Sequence, residues 1–280
     1  MKENARAALI EDFENKFLGY GSWDAPVWFL GIEAGVATPP SMEDEGEDQR
    51  RQRDALARER EARADAWKQL GGTPLLDLQE FSRRVAEALS GFDPKCPTAK
   101  RYSRLFCPAE GENVALQPTY RILMMILTEL QAANRMEEDA DTARKRLQEY
   151  QRDKLGRLEG DDLIIDLRPG HANRERPHDP AWDVPLQQRA ALIATKLRPS
   201  DRKVVVAYGK KTHTLLKDLF ARPWKLAQWT SHEGLNFEST WYGSNLLACI
   251  PHPTGQVKGR TNRYWQDLGT SLADIKRAGP

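Results

Sequence analysis

The chain has 280 residues, enough to bury a sizeable core in one large domain or two small ones. Charged residues make up 30% of it and its mean hydropathy is -0.68; no apolar run approaches the ~20 residues that cross a bilayer, so no membrane partner is expected. Net charge is +1, yet residues 203 to 280 hold 11 Lys/Arg against 5 Asp/Glu, a net of +6, and could meet a polyanion, although a solvated surface would carry the same charge.

The opening MKENARAALIEDF lacks an apolar core and a small-residue cleavage site, so no secretory signal is expected. Cys96, Cys107 and Cys249 are odd in number and widely spaced, which argues against a disulfide framework or a four-cysteine metal site and for a reducing, cytoplasmic location. Residues 4 to 17, with Ala5, Ala8, Leu9, Phe13 and Phe17 at near-helical spacing, predict an amphipathic helix closed by Gly19 and Gly21. Val27 to Leu30 is a short apolar run between turn residues, a buried parallel strand that ends in Gly31-Ile32-Glu33-Ala34-Gly35. Residues 41 to 70 hold 9 acidic and 7 basic residues, which reads as a solvent-exposed helix or a flexible segment. Leu75 to Leu89 resumes a helical period, and Gly91 to Leu116 is rich in Pro and Gly and is expected to be irregular. Helices follow over Pro118 to Ala133, around the apolar Ile122 to Leu127, and over Glu137 to Lys154.

A second strand, Leu163 to Asp166, runs into LRPGHANRERPHDP, too dense in Pro and Gly for regular structure. A helix over Val184 to Lys196 leads to a third strand, Val204 to Tyr208, and Gly209 then opens a helix from Lys210 to Phe220. That start presents Lys210, Lys211 and free backbone N–H groups, an arrangement suited to phosphate or simply a solvated face. An irregular region with Trp224, Trp229, Trp241 and Tyr242 precedes the fourth strand, Leu246 to Ile250, which enters Pro251-His252-Pro253-Thr254-Gly255. Asn262 to Lys276 forms the last helix. The expected fold is a three-layer α/β sandwich with a central four-stranded, mostly parallel sheet. It forms one domain over 1–280, with a helical insertion at 39–160. Parallel strands share their carboxyl ends, so Glu33, Asp166 with its arginines, and His252 should meet at one sheet edge.

The order of these motifs resembles the uracil-DNA glycosylase superfamily: GIEAG after the first strand, RPGHANR after the second, VVVAYGKKTHTLL at the third and IPHPTG after the fourth. It is most similar to the branch whose first motif reads GEAPG. The resemblance covers residues 24 to 36 and 162 to 275 and leaves the insertion unexplained. It implies that Glu33 positions water or stabilises the oxocarbenium-like sugar. It implies that His252 stabilises negative charge on the departing base. Gly31, Ile32, Ala34, Gly35 and Asp166 would bind the base. Arg168, Asn173, Arg174, Lys210, Lys211, Thr254, Lys258, Arg260 and Arg263 would contact DNA, with the target nucleotide flipped out of the stack.

Three departures from the family pattern qualify this. The cysteines do not fit an iron–sulfur cluster, and no cluster, metal or other cofactor is expected. Asp stands where the family places an Asn to read the base; Asp166, Asp162 and Asp161 are all possible readers, and an ionised Asp, an acceptor only, suits an exocyclic amine of the cytosine type. No phenylalanine follows the first motif to stack on the base, a role open to Trp67, Tyr102 or Phe106. The resulting expectation is a monomeric, monofunctional DNA glycosylase acting on a modified, cytosine-type base, as in defence against phage. The alternatives are a repair glycosylase for uracil or deaminated bases, a non-catalytic nucleic-acid-binding module on the same fold, and a nucleotide-processing enzyme using Lys210 and Lys211. His171, His178, His213 and His232 show no metal-ligand spacing.

Overall fold

The computed structural model describes residues 2–31, 47–109, 112–132, 138–167, 183–217, 228–253 and 261–280. The four long apolar runs become parallel strands: β2 (Val27–Gly31), β4 (Asp162–Asp166), β5 (Val204–Tyr208) and β8 (Asn245–Ile250), adjacent in the order β4-β2-β5-β8. The sheet is wider than the four strands expected. It has eight strands and is mixed, with β1 (Gly19–Gly21) and β3 (Leu75–Leu76) beyond β4, and the antiparallel β7 (Phe237–Tyr242) and β6 (Thr230–His232) beyond β8.

These flanking strands lack a long apolar run, which is why periodicity does not reveal them. β1 is Gly-Tyr-Gly, and its glycines are required by close approach: a Cβ on Gly19 would lie 1.9 Å from the Ile164 carbonyl oxygen, and one on Gly21 2.3 Å from that of Asp162. β3 has two residues, and the helix expected from Leu75 starts only at Leu78, where the Asp77 side chain caps it through the N–H groups of Gln79 and Glu80.

Among the described residues there are nine α-helices: α1 (Lys2–Lys16), α2 (Glu47–Gln69), α3 (Leu78–Phe92), α4 (Pro97–Phe106), α5 (Pro118–Gln131), α6 (Ala140–Asp153), α7 (Asp183–Lys196), α8 (Lys210–Leu215) and α9 (Asn262–Ala278). The period-2 alternation of the strands divides them between two cores. Phe29, Ile164, Val206, Tyr208, Ala248 and Ile250 face α1 to α6 and α9; Trp28, Leu30, Ile165, Val205, Ala207 and Cys249 face α7. The stretch expected to be irregular contains α4, which has Pro97 at its start. α2, expected as a solvated or flexible charge run, buries Glu59, Ala62, Arg63, Ala66 and Trp67 on one face. No helix of the described residues is long and apolar enough to cross a membrane.

Asp162 opens β4 at its amino end, fully buried, where it accepts hydrogen bonds from the Tyr150 hydroxyl at 2.8 Å and the Gly156 N–H at 3.0 Å. Burial pushes its carboxyl up to about 6, against the pull of the two hydrogen bonds. The folded state therefore holds this proton more tightly than the unfolded chain. The associated stability is fully present below about pH 4 and is lost as pH rises toward 6, costing about 3 kcal/mol when the group is ionised. Asp162→Asn should make the difference in urea-unfolding stability between pH 4.5 and pH 7 less favourable to acid than in the wild type. An identical difference in both proteins would remove Asp162 as the cause.

Candidate active site

β5 and β4 lie on opposite sides of β2, so the chain reverses direction across the sheet at β2, the point in α/β sheets where ligands bind beyond the carboxyl ends of the strands. A cavity of about 410 Å³ opens at this edge. Its floor comes from the sheet: Tyr20 of β1, Ile164 and Asp166 of β4, Tyr208 of β5, and His252 just past β8. Its walls come from the helices between β2 and β4: Glu59 and Arg63 of α2, Ser82 of α3, Tyr102 and Phe106 of α4, and Tyr120 of α5. Larger surface grooves of about 790 and 560 Å³ both reach Asp77 and Arg157, beside the loop that precedes the amino end of β4, away from these residues.

The alternation that builds the core also aims the site. Ile164 and Tyr208 lie on the helix-covered face, and Asp166, two residues beyond Ile164, follows it there. Asp166 pairs with Gly31 across the β2–β4 ladder and is held by its N–H to the Leu18 carbonyl at 2.9 Å. Tyr208 reaches sideways over the end of β2: a Cβ on Gly31 would lie 2.3 Å from its hydroxyl oxygen and 2.7 Å from the ring carbon that bears it. Its ring meets His252 edge to face, with centroids 5.8 Å apart. Gly209 lies beside His252, where a Cβ would be in van der Waals contact with the imidazole Cδ2 at 3.4 Å.

The walls are polar and fixed. Glu59, 3% exposed, accepts from the Tyr102 hydroxyl at 2.9 Å and from Arg101 at 3.1 Å. Arg63 stacks over the rings of Phe13 and Phe81 and bonds the Tyr20 hydroxyl. Burial pushes the Tyr20 phenol up to about 12 despite Arg63, and raises Tyr102, Tyr120 and Tyr208 further, with the Asp166 charge adding to the effect on Tyr120 and Tyr208. All four remain neutral donors at physiological pH. Burial lowers the pKa of His252, so its imidazole is neutral there as well. The Ser82 hydroxyl, fully buried, has no partner among the described residues. The cavity can therefore hold a flat, polar-edged molecule between aromatic walls, offering it hydroxyl donors, a carboxylate acceptor and an imidazole.

Of the residues singled out in the sequence, Asp166 and His252 line the cavity, and Gly31 abuts it through Tyr208. Asp162, with Asp161 beside it, lies at the other end of β4. Of the aromatic candidates, Tyr102 and Phe106 line the cavity, whereas Trp67 is buried against Phe13 and donates to the Thr73 carbonyl. Lys210 is exposed at the start of a six-residue α8, and Arg263 is exposed and paired with Asp267 at 3.1 Å. His213 contacts the Ile250 carbonyl through Nε2 at 2.7 Å, and His232 stacks on Phe237. Ile32, Glu33, Ala34, Gly35, Arg168, Asn173, Arg174, Thr254, Lys258 and Arg260 lie outside the described residues, as does the side chain of Lys211. Glu59, Arg63, Ser82, Tyr20 and Tyr120 had not been singled out. The available signal was the i, i+4 series Glu59, Arg63, Trp67 beside Ala62 and Ala66, a buried helix face inside a charged run. Among the described residues no group of three His, Cys, Asp or Glu could hold a metal ion. No family model, no curated protein and no solved structure matches the chain.

Proposed function

We propose that the protein is a DNA glycosylase that hydrolyses the N-glycosidic bond of a flipped-out, modified cytosine-type base and leaves an abasic site. The observation that supports this reading is the meeting of Asp166, at the end of β4, and His252, just past β8, in one aromatic-walled cavity at the strand carboxyl ends. In this reading a base enters between the phenols and Phe106, where stacking contributes about 1–3 kcal/mol. Asp166 accepts from the exocyclic amine, and neutral His252 donates to the charge that develops as the base leaves. Glu33, two residues beyond β2, serves the water and the sugar cation. Removal of a modified base from foreign DNA, as in defence against phage, is the biological setting this chemistry would serve.

The test is incubation of the purified protein with duplexes containing uracil, deaminated purines, 5-hydroxymethylcytosine or its glucosylated form, followed by alkaline cleavage at abasic sites. Activity on a modified cytosine that disappears in the Glu33→Ala, His252→Ala double variant is the expected result. Cleavage of none of these, or cleavage that survives both substitutions, would overturn the reading. Salt-sensitive binding without cleavage would instead mark a nucleic-acid-binding module.

A further inference from the structure

We propose that Tyr208 is a further catalytic residue, its hydroxyl donating a hydrogen bond to the departing base beside His252; this rests on the glycosidic reading above. Of the four phenols in the cavity, Tyr102 is bonded to Glu59 and Tyr20 to Arg63. Of the other two, Tyr120 stands on α5, whereas Tyr208 ends β5 with its ring against His252 and its hydroxyl over the end of β2. A ligand in the cavity that Tyr208 lines with Asp166 and His252 would meet that hydroxyl.

The position of the hydroxyl is enforced from three sides. The strand register sets Tyr208 opposite Ile250, two residues before His252, and the His252 ring lies edge to face with the phenol. Gly31, the last residue of β2, leaves the space the hydroxyl occupies, since a Cβ there would lie 2.3 Å from it. Asp166 stands on the neighbouring strand, paired with that same Gly31. The phenol thus lies where the ends of β2, β4, β5 and β8 come together.

During hydrolysis the bond between the sugar C1′ and the base nitrogen breaks with its electron pair on the base. The water oxygen bonds to C1′, and its proton passes to the Glu33 carboxylate and from there to solvent. The departing base, carrying the electron pair, takes a proton from solvent once it is released. Through this step Tyr208 shares its proton with the base oxygen conjugated to the breaking bond and keeps it. Burial and the Asp166 charge hold the phenol far above neutrality, so it acts as a donor and not as an acid.

Tyr208→Phe keeps the ring and its contact with His252 and removes only the hydroxyl. With the DNA base found to be excised, single-turnover cleavage should fall about 100-fold, as when one donor to a developing charge is lost. KM and the thermal midpoint should stay within the wild-type range, because the bond matters most in the transition state. A rate within threefold of wild type would overturn the assignment while leaving the glycosidic reading intact. A raised KM with a lowered thermal midpoint and an unchanged single-turnover rate would also overturn it, marking Tyr208 as structural. Wild-type protein that excises no base would overturn the glycosidic reading, and this inference with it.

Discussion

On the glycosylase reading proposed above, Gly31→Ala is expected to reduce base excision by about 100-fold while leaving a folded protein, because it displaces the Tyr208 hydroxyl from the edge of β2. The added methyl would lie 2.3 Å from the hydroxyl oxygen, 2.7 Å from the ring carbon that carries it and 3.0 Å from the next. A Tyr side chain has only two soft torsions, and this one is 7% exposed, so the ring cannot swing into solvent. It must turn into the cavity or tilt toward His252, whose ring is already edge-on to it, or β2 must move within a ladder bonded on both sides. Overpacking of this kind costs about 1–3 kcal/mol, which a domain of this size survives. The effect on catalysis should exceed the effect on stability, since the same displacement disturbs two groups that would face the leaving base. Tyr208→Phe still carries the ring carbons that the methyl meets, so the two substitutions should not add. In a double-mutant cycle, the pair should be less than twofold worse in excision rate than Gly31→Ala alone. Multiplicative losses from the two changes would show that Gly31 and Tyr208 act separately. A Gly31→Ala protein with wild-type rate would show that the hydroxyl needs no such space.

The parallel centre of the sheet was legible because each of its strands is a run such as Val-Val-Val-Ala-Tyr or Leu-Ile-Ile-Asp, apolar on both faces and cut off by Gly, Pro or a charge. The rule that parallel strands share their carboxyl edge then brings Asp166 and His252 to one edge from the strand order alone. What stayed hidden had no pattern of its own. β1 exists because two glycines let it lie against β4, and nothing in Gly-Tyr-Gly announces a strand. β7, Phe-Glu-Ser-Thr-Trp-Tyr, buries Phe237, Ser239 and Thr240, a strand too polar for its run to stand out.

The charged run posed a different difficulty. In α2, Glu59 and Arg63 are chemically indistinguishable in the sequence from neighbours such as the exposed Arg58 and Arg60, yet they are buried where Tyr102 and Arg101 bond Glu59 and Tyr20 meets Arg63. A charge run reads as solvent-facing on average, and only tertiary partners single out the members that turn inward. The α2 wall of the cavity was illegible for that reason, whereas Tyr102 and Phe106 of α4 and Asp166 and His252 of its floor were open to sequence reading.

The largest loss of stability is expected at an arginine with no sequence pattern of its own. Arg189 of α7 is 3% exposed, and its guanidinium joins three elements. One nitrogen donates to the Glu14 carbonyl at 3.0 Å, and the other to the carbonyls of Phe17 at 2.7 Å and Asp166 at 2.9 Å. Glu14 is in the last turn of α1, whose carbonyls have no partner within the helix and whose dipole favours a cation. Asp166 ends β4 beside the cavity, so Arg189 ties the first helix to the strand that carries the site. Burial pulls its pKa down to about 10, with Asp166 acting the other way, and the group remains charged at neutral pH. Arg189→Met keeps the bulk and removes every donor, leaving three carbonyls buried and unsatisfied. The expected loss is about 3–5 kcal/mol, or roughly 10 °C in Tm. Arg189→Lys restores the charge but not the fork that bridges Phe17 and Asp166, and should lose about half as much. Urea unfolding of the three proteins at pH 7 measures this directly. If Arg189→Met stays within 1 kcal/mol of wild type, water has reached those carbonyls and the buried clamp between α1, β4 and α7 does not hold the end of β4.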